Sequence, residues 1–427
     1  MDQRISPASA LHGSITLPGD KSISHRYAMI AAIAEGDTRI SNYSTGADCH
    51  STLRCVEGLG IEIDGQGTEF IIHGRGLDGL RAPMSDLDAG NSGSTIRMLS
   101  GMLAAQSFRS RIGGDESLSR RPMQRILKPL REMGARIEAR HGKFPPLEIE
   151  GARLHPIHYR LEVPSAQVKT CVLFAGLFTE GATSVIEPVR SRDHTEIALS
   201  EFGAEITRQG AIITLQGRPK LRGRDLAVPA DLSSAAFFLA AALLVPGSRL
   251  SIRGVGLNPT RSALLDFLRG MGARIQIPEL ESRHGELAGE ILVEHSELNG
   301  GVIANGLTAA LIDELPVLAV LGAASEQGLT IKDALELRIK ESDRIHTVIE
   351  NLRRMGAAVE ELPDGMIIPG RQKFRAATFD SFGDHRIAMA FAIAALRADG
   401  RSIIHGAEAA SISFPEFWDT LARLTPE

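Results

Sequence analysis

The sequence predicts an α/β protein built from six copies of one unit, in which helices alternate with short strands. Two recurring patterns and an excess of glycine support this prediction. Glycine accounts for 43 of the 427 residues, about one in ten against a usual ~7%. Aromatic residues make up only 4%, so alanine, leucine, isoleucine and valine must form most of the core. Many tight turns joining small packed units are therefore expected.

The first pattern is a polar or charged cluster followed by an Ala/Leu-rich helix, a glycine and a β-rich run. Its copies lie about 66 to 82 residues apart, a spacing typical of a structural repeat. They begin at KSISHRYAMIAAIAEG (21–36), NSGSTIRMLSGMLAA (91–105), SAQVKTCVLFAGLFTEG (165–181), DLSSAAFFLAAALLVPG (231–247), DELPVLAVLGAASEQG (313–328) and DHRIAMAFAIAALRADG (384–400).

The second pattern is a helix that ends in glycine and is followed by a short strand. It occurs at 55–63, 130–138, 199–207, 267–276 and 352–360. Each glycine lies where the end of a helix favours a left-handed residue. Isoleucine or valine then alternates with polar residues, as in a strand with one buried face. Each unit is expected to run helix, strand, helix, strand, strand.

The sixth unit has a second helix at 414–424 but no hairpin after it. A spare strand at 11–19 precedes the first helix. A frayed terminus would explain this, but we expect instead that the N-terminal strand completes the last domain.

Three units then form a first lobe over residues 20–229. The other three form a second lobe over residues 1–19 and 230–427. The chain is expected to cross between the lobes near 19–20 and 228–230. Two lobes joined by two strands favour closure over a substrate.

Composition narrows the class of protein. The net charge of −5 gives no reason to expect nucleic acid or an anionic membrane as a partner. Cys49, Cys55 and Cys171 have no metal-type spacing and cannot all pair, which favours a reducing cytoplasm. The longest apolar stretch, 232–245, is too short to span a bilayer. The first residues show no pattern of a targeting segment.

Charged and polar residues gather at the starts of the predicted helices. Helix N-termini offer unpaired N–H groups and a partial positive charge, so they suit anions. Together with lysine and arginine side chains, they predict one or two ligands that carry several phosphate or carboxylate groups. The cations are Lys21, Arg26, Arg121, Lys340, Arg344 and Arg386.

Simpler interpretations remain open for individual residues. Ser22 and Arg26 have the spacing of a surface pair. Lys340, Glu341 and Arg344 have the spacing of a solvated ion network. An aspartate in the position of Asp313 is more often a helix cap than a catalyst.

Seven motifs are spread over nearly the whole chain: LPGDKSISHR (17–26), GNSGSTIR (90–97), RPM (121–123), SAQVK (165–169), DELP (313–316), KESDR (340–344) and GDHRIAM (383–389). Together they resemble those of the EPSP synthase family, the 3-phosphoshikimate 1-carboxyvinyltransferases. The resemblance implies a two-domain, inside-out α/β barrel-like fold, in which each domain has three βαβαββ-type repeats with pseudo-threefold symmetry. The set GDKS, SAQVK, RDHTE and NPTR resembles the second class of the family, which is often associated with glyphosate tolerance.

The resemblance also implies a reaction. The enolpyruvyl group of phosphoenolpyruvate passes to the 5-hydroxyl of shikimate 3-phosphate, giving EPSP and phosphate, in the shikimate pathway of aromatic amino acid biosynthesis. The reaction proceeds by addition and elimination through a tetrahedral intermediate and needs no metal or organic cofactor. Glyphosate is a possible inhibitor, and a monomer is expected.

Residue roles are implied by matching the family's motifs position by position. Asp313 is expected to accept the proton of the 5-hydroxyl, and Glu341 to protonate C3, with Lys21 or His385 assisting. The expected contacts of shikimate 3-phosphate are Lys21, Ser22, Arg26, Ser165, the backbone of Ala166, Gln167, Arg192, Asp313 and Lys340. The expected contacts of phosphoenolpyruvate are Lys21, Gly93, Arg121, Gln167, Arg344 and Arg386.

The chemistry requires such a mixture of groups. Adding an alcohol to an enol ether needs a base for the hydroxyl and an acid for the methylene carbon. Adjacent carboxylates also stabilise an intermediate that resembles an oxocarbenium cation.

The chain departs from the family pattern in places. SISFP (411–415) lacks the lysine that many members carry, so one contact with phosphoenolpyruvate is missing or replaced. Gly93 is retained where tolerant enzymes carry alanine, whereas Met98 follows Arg97 where sensitive members often have proline. Intermediate tolerance of glyphosate is therefore the hypothesis.

Two rival functions differ in testable ways. A UDP-N-acetylglucosamine enolpyruvyl transferase would have a Lys–Asn pair in place of Lys21–Ser22 and usually a cysteine in a mobile loop, which 109–123 lacks. A non-catalytic repeat protein that binds anions would need neither Asp313 nor Glu341.

Overall fold

A computed structural model describes residues 1–425, so the last two residues of the predicted second lobe lie outside the described residues. Helices and strands interleave along the chain. The helices are α1 (Lys21–Ala32), α2 (Ala47–Gly58), α3 (Gly93–Leu103), α4 (Gln124–Glu132), α5 (Ala166–Gly176), α6 (His194–Glu201), α7 (Leu232–Leu244), α8 (Ala263–Gly270), α9 (Gly306–Leu311), α10 (Leu315–Ala324), α11 (Arg344–Arg354), α12 (His385–Ala395) and α13 (Phe417–Leu424). Short 3-10 helices occupy Leu118–Arg120, Leu335–Ile339 and Ala407–Ile412.

The strands of the described chain form six sheets. They are β1 (Asp2–Ile5), β2 (His12–Thr16), β3 (Glu35–Ser41), β4 (Glu62–Gln66), β5 (Glu69–Arg75), β6 (Leu87–Asp88), β7 (Arg109–Gly113), β8 (Arg136–Arg140), β9 (Phe144–Glu150), β10 (His158–Arg160), β11 (Ala182–Ile186), β12 (Ile206–Gln209), β13 (Ile212–Gln216), β14 (Asp225–Ala227), β15 (Arg249–Gly256), β16 (Arg274–Gln276), β17 (Leu280–Arg283), β18 (Glu286–Glu294), β19 (Gly301–Ile303), β20 (Leu329–Ile331), β21 (Glu360–Leu362), β22 (Gly365–Ile368), β23 (Thr378–Asp380) and β24 (Ser402–His405).

The repeat that contains α3 and α4 shows the βαβαββ arrangement clearly. Its sheet has the order β6-β7-β9-β8, in which β6 and β7 are parallel and β9 is antiparallel to both neighbours. The sheets beside α5 and α10 repeat this order as β10-β11-β13-β12 and β19-β20-β22-β21. The predicted α/β fold class is therefore confirmed.

Three strands join sheets far from their place in the sequence. β14 pairs in parallel with β3 and so supplies the first strand of the first repeat. β2 pairs in parallel with β15 in the same way. β1 pairs antiparallel with β24, where the sixth repeat has no hairpin of its own.

The described chain divides into two compact units. The unit that we call the first lobe comprises Gly19–Val228 and Ser282–Glu286. The second lobe comprises Met1–Pro18, Pro229–Glu281 and the chain from Leu287 onward. Each lobe has its own hydrophobic core.

The first helices of the repeats form the centre of each core. In the second lobe α7, α10 and α12 contact one another, and every residue of α7 and α12 is buried. In the first lobe α3 packs against both α1 and α5. Helices rich in small residues approach closely, which explains why this core needs few aromatic side chains.

Gly101 marks the closest approach of α3 and α5. A Cβ atom at this position would lie 2.2 Å from the carbonyl oxygen of Cys171. No side chain fits there unless one of the two helices moves.

The five glycines predicted to follow the second helices adopt the expected left-handed conformation. Their φ angles lie between 82° and 99°, and they are Gly60, Gly134, Gly203, Gly272 and Gly356. Within residues 1–425 the helices are too short or too polar for any of them to cross a membrane.

Candidate active site

A side chain caps the first helix of five repeats, whereas α10 has no side-chain cap. In the first lobe Asp20 accepts from the backbone N–H of Ile23, which starts α1. Ser92 and Ser165 cap α3 and α5 in the same way. In the second lobe the N-caps of α7 and α12 are Asp231 and Asp384.

These caps determine which helix ends attract anions. An aspartate cap neutralises much of the positive end of its helix. The ends of α3 and α5 carry neutral serine caps, so no acidic side chain at the N-cap position offsets their partial positive charge. At the other ends, lysine and arginine side chains must supply the positive charge.

Arg26 lies in a buried polar pocket of the first lobe and is only 3% exposed. Its Nε donates to Thr195 Oγ1 at 2.7 Å, and its Nη2 donates to Thr170 Oγ1 at 2.9 Å. Its Nη1 donates to the Ser22 carbonyl at 2.7 Å. Burial lowers the pKa of Arg26 to about 10, although Glu196 and Asp20 oppose the shift. The simple surface pair of Ser22 and Arg26 is therefore excluded.

A buried chain of hydrogen bonds links α1 to the start of α3. His25 Nδ1 lies 2.7 Å from Thr52 Oγ1, which lies 2.7 Å from Thr95 Oγ1. Thr95 Oγ1 then donates to Ser92 Oγ at 2.7 Å. Burial, helped by Lys21 and Arg26, holds the pKa of His25 well below its ordinary value, so this imidazole stays neutral.

Gln167 joins the starts of α5 and α3. Its Oε1 accepts from Arg97 Nη1 at 2.8 Å, and its Nε2 donates to Ser94 Oγ at 2.9 Å. Gly93 lies beside this pair, and a Cβ there would come within 2.7 Å of the same Arg97 nitrogen. The absence of a side chain at Gly93 thus keeps Arg97 in contact with Gln167.

Arg121 and Lys21 are each anchored by neighbouring residues. Arg121 donates to the Asn91 carbonyl at 3.1 Å and to Asn91 Oδ1 at 2.6 Å, and it also bonds Ser117. Lys21 Nζ lies 2.9 Å from Asp48 Oδ2. Both cations therefore lie at the ends of helices with their direction set by hydrogen bonds.

Lys169 lies in a buried cluster of ion pairs inside the first lobe. This fully buried lysine bonds Glu196 at 2.8 Å and Glu187 at 3.1 Å, and Arg208 pairs with the same two carboxylates. Ser191 N donates to Glu187 at 3.2 Å, so the cluster also supports the loop that carries Arg192. Lys169 thus stabilises the first lobe from within, whereas Ser165, Ala166 and Arg192 are partly exposed.

In the second lobe Arg344 lies between two acidic side chains. Its Nε donates to Asp384 Oδ2 at 2.8 Å, and its Nη2 donates to Glu341 Oε2 at 2.6 Å. Burial alone would lower the pKa of Arg344, but Asp384 and Glu341 outweigh it and raise the pKa. Arg344 is only 1% exposed, so the alternative of a solvated ion network is wrong for this residue.

Asp313 has three cations around it. Lys340 Nζ and Arg344 Nη1 each lie 3.9 Å from Asp313 Oδ1, and Arg386 Nη2 lies 3.8 Å from Oδ2. Arg386 Nη1 donates to the Asp313 carbonyl at 2.7 Å. Burial lowers the pKa of Lys340, whereas Asp313 opposes the shift. Asp313 precedes Glu314, the N-cap of α10, so the alternative of a plain helix cap does not apply to it.

The structure thus brings the predicted residues of each lobe together. Lys21, Ser22 and Arg26 lie on one helix, while Gly93, Gln167 and Arg121 meet around the starts of α3 and α5. Lys340, Arg344 and Arg386 lie around Asp313, and Glu341 contacts Arg344. His385 is buried at the start of α12. Lys340 and Glu341 precede α11 and are not part of it, because the helix begins at Arg344.

Sequence reasoning missed a buried carboxylate beside this group. Glu314 follows Asp313 in the DELP motif and lies 3.9 Å from Arg386 Nη1. The sequence signal was present, since two adjacent acids before a buried helix need separate partners. Within residues 1–425, no group of three or more His, Cys, Asp or Glu side chains could hold a metal ion.

Comparisons with known proteins agree with these observations. The sequence profile of EPSP synthase (3-phosphoshikimate 1-carboxyvinyltransferase) matches residues 5–421. A 3-phosphoshikimate 1-carboxyvinyltransferase of Solibacter usitatus is 76% identical over 424 residues, covering 99% of this chain and 100% of that protein. One from Koribacter versatilis is 54% identical over 422 residues, covering 99% and 98%.

Solved structures give the same result. EPSP synthase from Acinetobacter baumannii has a TM-score of 0.88 at 42% identity and covers 99% of this chain and 98% of its own. The enolpyruvyl transferase NikO from Streptomyces tendae has a TM-score of 0.79 at 18% identity over 99% and 96%, which shows a shared fold alone. The family match, the identity over the full length and the shared fold show that this chain belongs to the EPSP synthase family.

Proposed function

We propose roles for individual residues in the family's reaction, in which the enolpyruvyl group of phosphoenolpyruvate passes to the 5-hydroxyl of shikimate 3-phosphate. One observation carries the proposal. Asp313, a partly exposed carboxylate, has Lys340, Arg344 and Arg386 within 4 Å. A base surrounded by cations suits two anionic substrates, whose charges the cations compensate.

Asp313 accepts the proton of the 5-hydroxyl. Lys340, Arg344 and Arg386 lie within 4 Å of this carboxylate, and a positioned carboxylate is a suitable general base for a hydroxyl proton. As the hydroxyl oxygen attacks C2 of phosphoenolpyruvate, C3 takes up a proton. The tetrahedral intermediate then loses phosphate from C2 and returns a proton from C3 to the group that delivered it, so the C2–C3 double bond of the product forms again.

Glu341 delivers the proton to C3. Its Oε2 accepts from Arg344 at 2.6 Å, which fixes the direction of the carboxyl group. Lys21 or the buried His385 assists. The carboxylate left behind also stabilises positive charge that develops at C2.

The two substrates have different binding residues, apart from two that they share. Arg344, Arg386, Arg121 and the backbone at Gly93 bind phosphoenolpyruvate. Lys21 and Gln167 contact both substrates. Shikimate 3-phosphate is held by Ser22, Arg26, Ser165, Ala166, Arg192, Asp313 and Lys340.

The experiment that tests the function is phosphate release from phosphoenolpyruvate. Release that requires shikimate 3-phosphate is expected. Release with UDP-N-acetylglucosamine in its place would overturn the proposal. The comparisons favour the first outcome, because the similar full-length proteins are 3-phosphoshikimate 1-carboxyvinyltransferases.

Replacing the base tests the mechanism. Asp313→Asn keeps the shape of the side chain but removes its ability to accept the proton. We expect kcat to fall by about a hundredfold or more, with substrate binding largely kept. Steady-state kinetics check this, and a change confined to KM would show that Asp313 only positions the substrate.

We propose that two strands, near 19–20 and 228–230, act as a hinge between the lobes. Intermediate tolerance of glyphosate follows from Gly93 and Met98, and an inhibition constant as low as that of sensitive members would contradict it. We also propose a monomer in a reducing cytoplasm, and the latter is supported by three buried free cysteines.

A further inference from the structure

We propose that Glu314 is a positioning residue that sets the direction of Arg386, and that Ser233 and Arg261 hold Glu314 for this purpose. The inference rests on the proposed function, in which Arg386 binds phosphoenolpyruvate. The motifs that predict the substrate contacts assign no role to these three residues. Their contacts with one another, all within the second lobe, carry the argument.

Glu314 is 4% exposed and lies between two guanidinium groups. Its Oε1 is 3.8 Å from Arg261 Nη1 and 3.9 Å from Arg386 Nη1. Ser233 Oγ donates a hydrogen bond to the same carboxylate oxygen. A buried carboxylate needs compensation of this kind, because its loss of hydration is costly.

Arg261 anchors the other end of the network. Its Nη2 donates to Ser233 Oγ and lies 3.4 Å from Asp231 Oδ1. Ser233 therefore accepts from Arg261 and donates to Glu314. Its hydroxyl bridges the two side chains and fixes their positions relative to each other. The network connects the loop before α8 with the first turns of α7 and α10.

Arg386 is the member of this network that contacts Asp313, one of the residues proposed to bind the substrates. One of its nitrogens, Nη1, is held both by the Asp313 carbonyl at 2.7 Å and by the charge of Glu314. Its other terminal nitrogen, Nη2, lies 3.8 Å from the Asp313 carboxylate. The guanidinium plane is thus fixed from one side, which a forked contact with a carboxylate or phosphate requires.

A purely structural role makes a different prediction. If Glu314 only stabilised the start of α10, its loss would lower stability and affect both substrates equally. If Glu314 orients Arg386, its replacement should weaken the binding of phosphoenolpyruvate more than that of shikimate 3-phosphate. The ratio between the two substrates therefore separates the two roles.

The test is Glu314→Gln, which keeps the size of the side chain and its hydrogen bond from Ser233 but removes the charge. We expect KM for phosphoenolpyruvate to rise about tenfold or more, as for a lost charge-assisted contact. KM for shikimate 3-phosphate and kcat should change less than threefold. Equal losses for both substrates, or a loss confined to kcat, would overturn the proposal.

Two further variants test the same role if Glu314→Gln fails to fold. Ser233→Ala removes only the bridging hydroxyl, and a selective but smaller rise in KM for phosphoenolpyruvate supports the proposal. Arg261→Lys keeps a cation near Glu314. It should therefore raise KM for phosphoenolpyruvate, and not KM for shikimate 3-phosphate, by less than Glu314→Gln does. If Glu314→Gln does not fold, unchanged KM values in Ser233→Ala overturn the proposal.

The matched control is Glu350→Gln. Glu350 is a partly exposed residue of α11 that pairs with Arg354, so the same substitution should leave both KM values unchanged. If the native chain releases no phosphate from its two substrates, the proposed function fails. Calorimetric binding of phosphoenolpyruvate to the native chain and to Glu314→Gln then decides the positioning role separately, and equal affinities overturn it.

Discussion

Arg26 and Arg344 are both buried guanidinium groups, but their surroundings prepare them for different tasks. Arg26 is hydrogen-bonded to neutral oxygens of Thr195, Thr170 and the Ser22 backbone. Arg344 is held directly by the carboxylates of Asp384 and Glu341. Burying a cation among neutral dipoles leaves much of its charge to be compensated by an incoming anion.

Arg26→Lys tests this difference at one residue. Lysine keeps the charge but cannot bond both threonines and the carbonyl in one plane. We expect KM for shikimate 3-phosphate to rise about tenfold or more, while KM for phosphoenolpyruvate changes little. Kinetics with each substrate varied in turn check this, and equal effects on both substrates would contradict it.

His73 gives a residue-scale prediction about pH. Hydrogen bonds with Asp37, at 2.8 Å, and then with Asp64, at 3.1 Å, raise the pKa of His73. Its stabilising contribution is therefore complete below its unfolded pKa of about 6.5 and is lost as pH rises through the higher folded pKa. The site is partly exposed, so the contribution is at most about 1 kcal/mol.

His73→Gln should accordingly lower the free energy of unfolding more at about pH 5.5 than at about pH 9. Urea unfolding of both proteins at the two pH values measures this. The same loss at both values would show that the charged imidazole contributes nothing.

At the scale of secondary structure elements, the contact between α3 and α5 depends on Gly101. Gly101→Ala would place a methyl group 2.2 Å from the Cys171 carbonyl oxygen, so the helices must separate. We expect a loss of about 1–3 kcal/mol in the free energy of unfolding. Gly270→Ala is the control, because nothing lies within 4 Å of a Cβ there.

The control should be neutral or stabilising by up to about 1 kcal/mol, since alanine favours a helix more than glycine does. Urea unfolding compares the two variants directly. If both variants behave alike, close packing of α3 on α5 is not what requires glycine.

Elements could be predicted from the sequence wherever the determinant is local. The second helices and their terminal glycines, such as Gly60, follow from spacing and backbone conformation. The start of α11 was less predictable, because Asp343 caps the helix only after Lys340–Ser342 have left the preceding 3-10 turn. The short helix α9 has no counterpart in the other repeats and no signal in the repeated pattern.

The same distinction between local and long-range determinants applies to the candidate site. Motifs place Asp313, Arg344 and Arg386 near one another without stating their partners. The bond from Arg26 to Thr195 and the contact of Glu314 with Arg261 join residues from separate repeats. Such contacts depend on how the repeats pack, which no local spacing encodes.

At the scale of the whole molecule, the proposed hinge predicts a change of size on binding. If the lobes close over the substrates, shikimate 3-phosphate should reduce the radius of gyration measured by small-angle X-ray scattering. The Arg26→Lys variant at the same ligand concentration serves as the control and should show a smaller change. An unchanged radius of gyration in the native chain at saturating ligand would contradict the hinge.

The distant pairing of β1 and β2 has a consequence for synthesis on the ribosome. The hydrogen bond from Leu11 N to Ser248 Oγ joins residues 237 apart, and that between Asp2 and His405 joins residues 403 apart. Most of the first lobe, Gly19–Val228, has been synthesised once β14 has emerged. By contrast, β2 pairs with β15 and β1 pairs with β24, which are synthesised later. Domains generally fold as units during translation, so β1, which precedes the first lobe in the chain, is among the last strands to pair.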